Sequence, residues 1–194
     1  MNKELVLILG GARSGKSSFA QRLAKRVGSN VLFLATAQAG DDEMAERIAR
    51  HKASRPATWR TVEEPLELAL VLQTEAASAD VVIVDCLTLW LSNLLLREGG
   101  ASETEVLGQV ERLLDVYEKS AASYILVSGE VGLGLVPPYP LGRAYRDIMG
   151  WINQKLARRA DKLFLMLAGI PLELKSLGMT WAGINDEIDS GHGT

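Results

Sequence analysis

The chain has 194 residues, 47% apolar and 23% charged, with a net charge of −3 and a single cysteine, Cys86. These values describe an ordinary globular domain with one sizeable core. They exclude an intrachain disulfide and a whole-surface attraction to nucleic acid or anionic membrane. With no targeting segment in view, a soluble cytoplasmic protein is expected.

Short apolar runs alternate with longer stretches of helical period. Residues 4–9 (ELVLIL) read as a buried strand, followed by a helix over 16–27, a strand over 31–35 and a helix over 42–52. A weaker strand is expected at 59–63 and a helix over 65–77, with Pro65 in the first helical position, where its missing N–H costs nothing. A strand at 81–84, helices at 87–97 and 103–122, a strand at 124–127, a helix at 143–160 and a strand at 163–167 complete the series. The most apolar window, 81–96, carries Asp85, Ser92 and Asn93 and is shorter than the roughly 20 residues of a membrane span. Alternation of this kind predicts a mainly parallel sheet covered by helices on both faces. Residues 1–175 form one expected domain, and 176–194 an appended tail containing Trp181 and His192.

Residues 10–17, GGARSGKS, fit GxxxxGK[ST] in full, between an apolar strand and a helix. Gly10, Gly11, Ala12, Arg13, Ser14 and Gly15 form a loop whose backbone N–H groups can face a phosphate, beside the positive end of the helix dipole. Lys16 can reach the β- and γ-phosphates, and the Ser17 hydroxyl can ligate magnesium. The fold expected is therefore α/β of the P-loop NTPase (RecA-like) type.

Asp85 closes the strand VVIVD, at the end of the sheet where ligands of open α/β folds bind. It suits magnesium held directly or through water, or else caps the following helix. Cys86 beside it reads as a small packing residue. His51 follows Met44, Arg47 and Ile48 along one helical stripe, with Arg50, Lys52 and Arg55 around it. It is either a nucleophile kept neutral by neighbouring cations or a histidine interacting with the helix dipole.

Several segments resemble the bifunctional adenosylcobinamide kinase / adenosylcobinamide-phosphate guanylyltransferase family. They are GGARSGKS, the ATA at Ala35, Thr36 and Ala37, DDEMAERIARHKASRPATWRTVEEP from Asp41, VDCLTLWLSNLL from Val84, EVGLGLVP from Glu130 and RAYRDIMGWINQKLA from Arg143. The resemblance implies that His51 takes GMP from GTP and passes it to adenosylcobinamide phosphate. It also implies nucleotide contacts from Lys52, Ala53, Ser54, Arg55, Glu63 and Asp85, ATP and GTP as substrates, magnesium, and a homo-oligomer, a trimer. Glu63 would suit guanine, whose N–H donors a carboxylate accepts. Where the family often reads Asn-Glu-Val-Gly, this chain has Gly129.

Other readings stay open at this stage. One is another P-loop small-molecule kinase or a nucleotide-switch NTPase without guanylyl transfer. A nucleic-acid module fits poorly with the acidic charge and the lack of a basic, aromatic-interleaved stripe. Trp90 and Trp151 are expected in the core, Trp59 either there or near the ligand, and the cations from Arg143 to Lys162 on a solvated helix face.

Overall fold

The computed structural model describes residues 3–53 and 55–178. Trp181 and His192 lie outside the described residues. The strands are β1 (Leu5–Gly10), β2 (Val31–Ala35), β3 (Arg60–Glu63), β4 (Val81–Asp85), β5 (Ser123–Val127), β6 (Lys162–Leu167) and β7 (Ile170–Glu173). They form a seven-stranded sheet in the order β3-β2-β4-β5-β1-β6-β7, parallel except for the β6–β7 pair. The helices are α1 (Lys16–Val27), α2 (Asp42–Ala53), α3 (Leu68–Glu75), α4 (Leu87–Leu96), α5 (Glu103–Lys119) and α6 (Pro140–Arg159).

The central strands are apolar on both faces because both faces are covered. Successive side chains point to opposite sides. Leu5, Leu7 and Leu9 of β1 thus join the core with Trp90, Val110 and Ile152 of the α4, α5 and α6 layer. Val6 and Ile8 join the second core, with Ala20 and Ala24 of α1. Small alanines bring α1 close to the sheet, which places its N-terminus at the end of β1.

Three expectations need correction. The helix expected from Pro65 begins at Leu68. The Glu64 carboxylate accepts the N–H groups of Leu66 and Glu67 at 2.8 and 2.9 Å, giving the chain a local alternative to a helical turn. Strand β7 was not expected. It follows the turn at Ala168 and Gly169, both with positive φ, and its Ile170 and Leu172 are exposed, so no buried run announces it. Trp151 is 51% exposed rather than in the core, whereas Trp90 is buried and its indole N–H donates to Leu66 O at 2.8 Å. Trp59 is buried against Phe33. Among the described residues no helix is long and apolar enough to cross a membrane.

Candidate active site

The carboxyl ends of the parallel strands carry the candidate residues, and the phosphate loop joins β1 to α1. Gly10 has φ +150°, and a Cβ there would lie 2.7 Å from the Met166 carbonyl oxygen, so only glycine fits. Gly15, in the left-handed region, is the N-cap of α1 and makes no side-chain capping bond. The first turn of α1 thus offers its N–H groups to an anion. Arg13 also has positive φ, at 56°, and is exposed with Gly11 and Ala12. Ser14 is buried and its Oγ has no hydrogen-bond partner, a polar atom for a ligand to satisfy. The Lys16 ammonium donates to the carbonyls of Gly10 and Gly11 at 2.8 and 2.6 Å. The loop is braced from β6–β7 as well, where Gly169 N–H donates to Ser14 O at 3.1 Å. Sequence reasoning missed this brace; its only trace was the Ala-Gly pair after β6.

Asp85 ends β4 beside that loop. The N-cap of α4 is Cys86, and no side chain caps the helix, so Asp85 is not a capping residue. The Ser17 hydroxyl instead lies beside its carboxylate and favours the charged form. Burial pushes the Asp85 carboxyl above the usual carboxylate range, against the opposing pull of that hydroxyl and of the charges of His51, Arg55 and Lys16. Two segments far apart in sequence, one carrying Lys16 and Ser17 and the other His51 and Arg55, thus bear on one carboxylate. Ser17 and Asp85 form a pair of hard oxygens with no third carboxylate or histidine grouped to them among the described residues. That donor set suits magnesium, which completes its shell with phosphate oxygens and water. Burial, then the Asp85 charge, pushes the Cys86 thiol up, as befits a packing residue rather than a thiolate nucleophile.

Thr36 lies under this floor. It is fully buried, and its hydroxyl donates to Cys86 O at 2.7 Å and accepts from Cys86 N–H at 2.8 Å. Its own N–H donates to Asp85 O at 3.2 Å, and Asn93 donates to its carbonyl at 2.8 Å. The Thr36 side chain thus fixes the backbone that aims Asp85, while Ala35 is buried at the end of β2 and Ala37 is half-buried beyond it.

His51 sits in the last turn of α2, half-buried, with Lys52 and Ala53 exposed after it. Arg55 packs its guanidinium 3.8 Å from the centre of the Phe33 ring. Desolvation lowers the Arg55 pKa, while Asp85 and Glu63 favour its charge. Its buried Nε has no hydrogen-bond partner. Glu63 closes β3 and pairs with Lys52 at 2.9 Å. Ser54 lies outside the described residues.

The model of the family described as "Cobinamide kinase / cobinamide phosphate guanyltransferase" matches residues 6–174. A bifunctional adenosylcobalamin biosynthesis protein of Pseudomonas aeruginosa, CobP, is 51% identical over 87% of this chain and 96% of its own. The bifunctional adenosylcobalamin biosynthesis proteins CobU of Salmonella typhimurium and Escherichia coli are each 38% identical, over 88% of this chain and 99% of theirs. On that similarity, and with a phosphate loop, an acidic floor and a histidine-bearing helix at one end of its sheet, the chain belongs to the cobinamide kinase / cobinamide phosphate guanyltransferase family.

Proposed function

We propose that this chain phosphorylates adenosylcobinamide with ATP or GTP, then transfers GMP from GTP to the cobinamide phosphate through a guanylyl group carried on His51. The observation that carries this reading is the placement of the phosphate loop at the end of β1 and of Asp85 at the end of β4 in one parallel sheet, in a member of this family, with the charge of His51 bearing on that carboxylate. In the first reaction the loop N–H groups and Lys16 would hold the triphosphate and stabilise charge on the transferred γ-phosphoryl as the acceptor hydroxyl attacks. In the second, a ring nitrogen of His51 attacks the α-phosphorus of GTP and pyrophosphate leaves. The phosphate of cobinamide phosphate then attacks the same phosphorus and the histidine departs. Two displacements replace one, with the nucleotide retained on the protein throughout.

Magnesium, held by Ser17 and Asp85, would supply charge neutralisation on the phosphates. Arg55 and Lys52 would meet phosphate oxygens, Glu63 the guanine, and Ala35, Thr36 and Ala37 would line the nucleotide chiefly with backbone. A homo-oligomer, a trimer, is part of the same reading and rests on the family resemblance, and a cytoplasmic location rests on the single cysteine and the composition of the chain.

The test is labelling of the purified chain with magnesium and GTP carrying label at the α- or γ-phosphorus. The expected result is protein-bound label from the α position only, acid-labile, alkali-stable and absent in His51→Ala. No α-label under conditions that still support nucleotide binding would leave a plain P-loop kinase.

A further inference from the structure

The exit of β5 is held by a buried polar network that the phosphate chemistry does not itself require. Ser128, fully buried, donates through Oγ to Asn153 Oδ1 at 2.6 Å, and Asn153 Nδ2 donates to Gly129 O at 3.0 Å. Gly129 N–H donates to Thr88 Oγ1 at 2.7 Å, and the Tyr145 hydroxyl donates to Thr88 O at 3.0 Å. Both edges of the Gly129 backbone are therefore fixed by side chains from α4 and α6. The fit is close: a Cβ on Gly129 would lie 2.8 Å from Thr88 Oγ1. Burying these polar groups is tolerable only because each is paired. Apolar contacts alone would anchor α6 to the sheet, whereas hydrogen bonds add direction.

What they direct lies at the phosphate loop. The next N–H, of Glu130, donates to Gly10 O at 3.1 Å, the same oxygen that accepts the Lys16 ammonium at 2.8 Å. In the sheet β5 lies between β1 and β4, so its exit opens between the phosphate loop and Asp85. A terminal phosphate and the hydroxyl that attacks it must meet there. Beyond Glu130 the chain is stitched back to α6, with Arg146 donating to Gly132 O at 2.9 Å and Arg143 to Pro138 O at 2.8 Å. These two arginines, expected on a solvated face, thus hold the loop. The loop in turn presents Leu133 and Leu135 at 86% and 95% exposure, beside Val136 and Tyr139.

We propose that Thr88 and Asn153 are positioning residues for the phosphoryl acceptor. They set Gly129 and Glu130 in the gap between the phosphate loop and Asp85, so that the apolar segment after Glu130 forms the wall against which the corrinoid alcohol rests. A broad macrocycle with apolar faces matches that segment in chemistry, and its side-chain hydroxyl would point toward the γ-phosphate. The inference rests on the cobinamide reading above and adds the acceptor side to it.

Thr88→Val keeps the shape and removes the acceptor for Gly129 N–H, and Thr88→Ser restores it. Tyr145→Phe removes only the hydrogen bond to Thr88 O and serves as the milder second variant should the valine variant fold poorly. Two readouts on the full chain separate the outcomes: α-label uptake from GTP, which needs no cobinamide, and the kinetics of adenosylcobinamide phosphorylation. Thr88→Val is expected to lower kcat/KM for cobinamide about tenfold or more, through a lower kcat from the misplaced acceptor hydroxyl and a higher KM from the displaced wall. The label uptake and the nucleotide KM shift several-fold less than the cobinamide kinetics, because Glu130 N–H is one of several bonds holding the phosphate loop; Tyr145→Phe shows the same pattern more weakly, and Thr88→Ser recovers most of the loss. An equal fall in label uptake and phosphorylation, or unchanged cobinamide kinetics in both Thr88→Val and Tyr145→Phe, overturns the inference. A wild-type chain that does not phosphorylate cobinamide at all overturns the underlying reading instead, and this inference with it.

Discussion

The phosphate loop and helix α2 bring charge to the same end of the sheet, yet they are anchored very differently. The loop is clamped on several sides: Gly10 under Met166, Ser14 bonded by Gly169, Gly10 O bonded by Glu130, and α1 seated on buried Ala20 and Ala24. Helix α2 has no fully buried residue among those described, only the half-buried stripe Met44, Ile48 and His51. At its C-terminal end, Lys52 reaches Glu63 of the edge strand β3. The difference teaches a division of labour. The element proposed to bind phosphate in both reactions is preorganised by its surroundings, whereas the element bearing His51, the proposed nucleophile, is held by few contacts and can adjust to a nucleotide.

The largest effect that would break this comparison is functional. Lys16→Ala is expected to lower phosphorylation and guanylyl transfer alike, by about 10²–10³ in kcat, because it removes a preorganised charge from the shared phosphate site. His51→Ala is expected to abolish guanylyl transfer and leave cobinamide phosphorylation within a few-fold of normal. Parallel assays of both variants check this, and loss of both reactions in His51→Ala would mean that α2 belongs to the phosphate site itself.

A second prediction concerns the floor between the two regions. Burial holds Asp85 above the usual carboxylate range, so the folded chain binds that proton more tightly than the unfolded chain does. Its contribution to stability is therefore fully present below the unfolded value and is lost as pH rises through the raised folded value. Above that value the ionised carboxylate is a burden on the ligand-free fold. Asp85→Asn is expected to raise the melting temperature at pH 7 by about 2–4 °C, with the advantage vanishing at pH 3, while magnesium-dependent turnover falls sharply. Thermal melts of both chains across that pH range decide it. A variant less stable than wild type at pH 7 would show that the cations around Asp85 outweigh its desolvation.

The smallest effect is at the outer tether. Lys52 and Glu63 are 62% and 55% exposed, so Glu63→Gln should cost at most about 0.2–1 kcal/mol. The same change is expected to speed amide exchange in α2 a few-fold, to leave α1 untouched and to relax the preference for GTP over ATP. Hydrogen exchange with competition binding measures all three, and unchanged selectivity would remove Glu63 from guanine recognition.

Features governed by local chemistry were legible in the residues alone. The phosphate loop could be read because its glycines, lysine and serine act within eight consecutive positions between a strand and a helix. The central strands β1, β2, β4 and β5 could be read because burial on both faces leaves continuous apolar runs, whereas β3, exposed at both ends, gave only a weak signal. Helix ends and the edge were less legible. The Glu64 side chain delays α3, and β7 carries Pro171 and exposed apolar residues on a sheet edge. For Trp151 the helical period identified a helix but not which side its neighbours would cover.

The sequence by itself determined the nucleotide-binding motif, the α/β alternation and the family resemblance, because each depends on spacing along the chain. Only the tertiary structure decided that His51, Arg55 and Lys16 act on Asp85, that Thr36 braces its backbone, and that Thr88 and Asn153 fix Gly129. Those relations join residues from different strands and helices. Their energies depend on burial and on hydrogen-bond geometry across the sheet, which spacing along a chain does not encode.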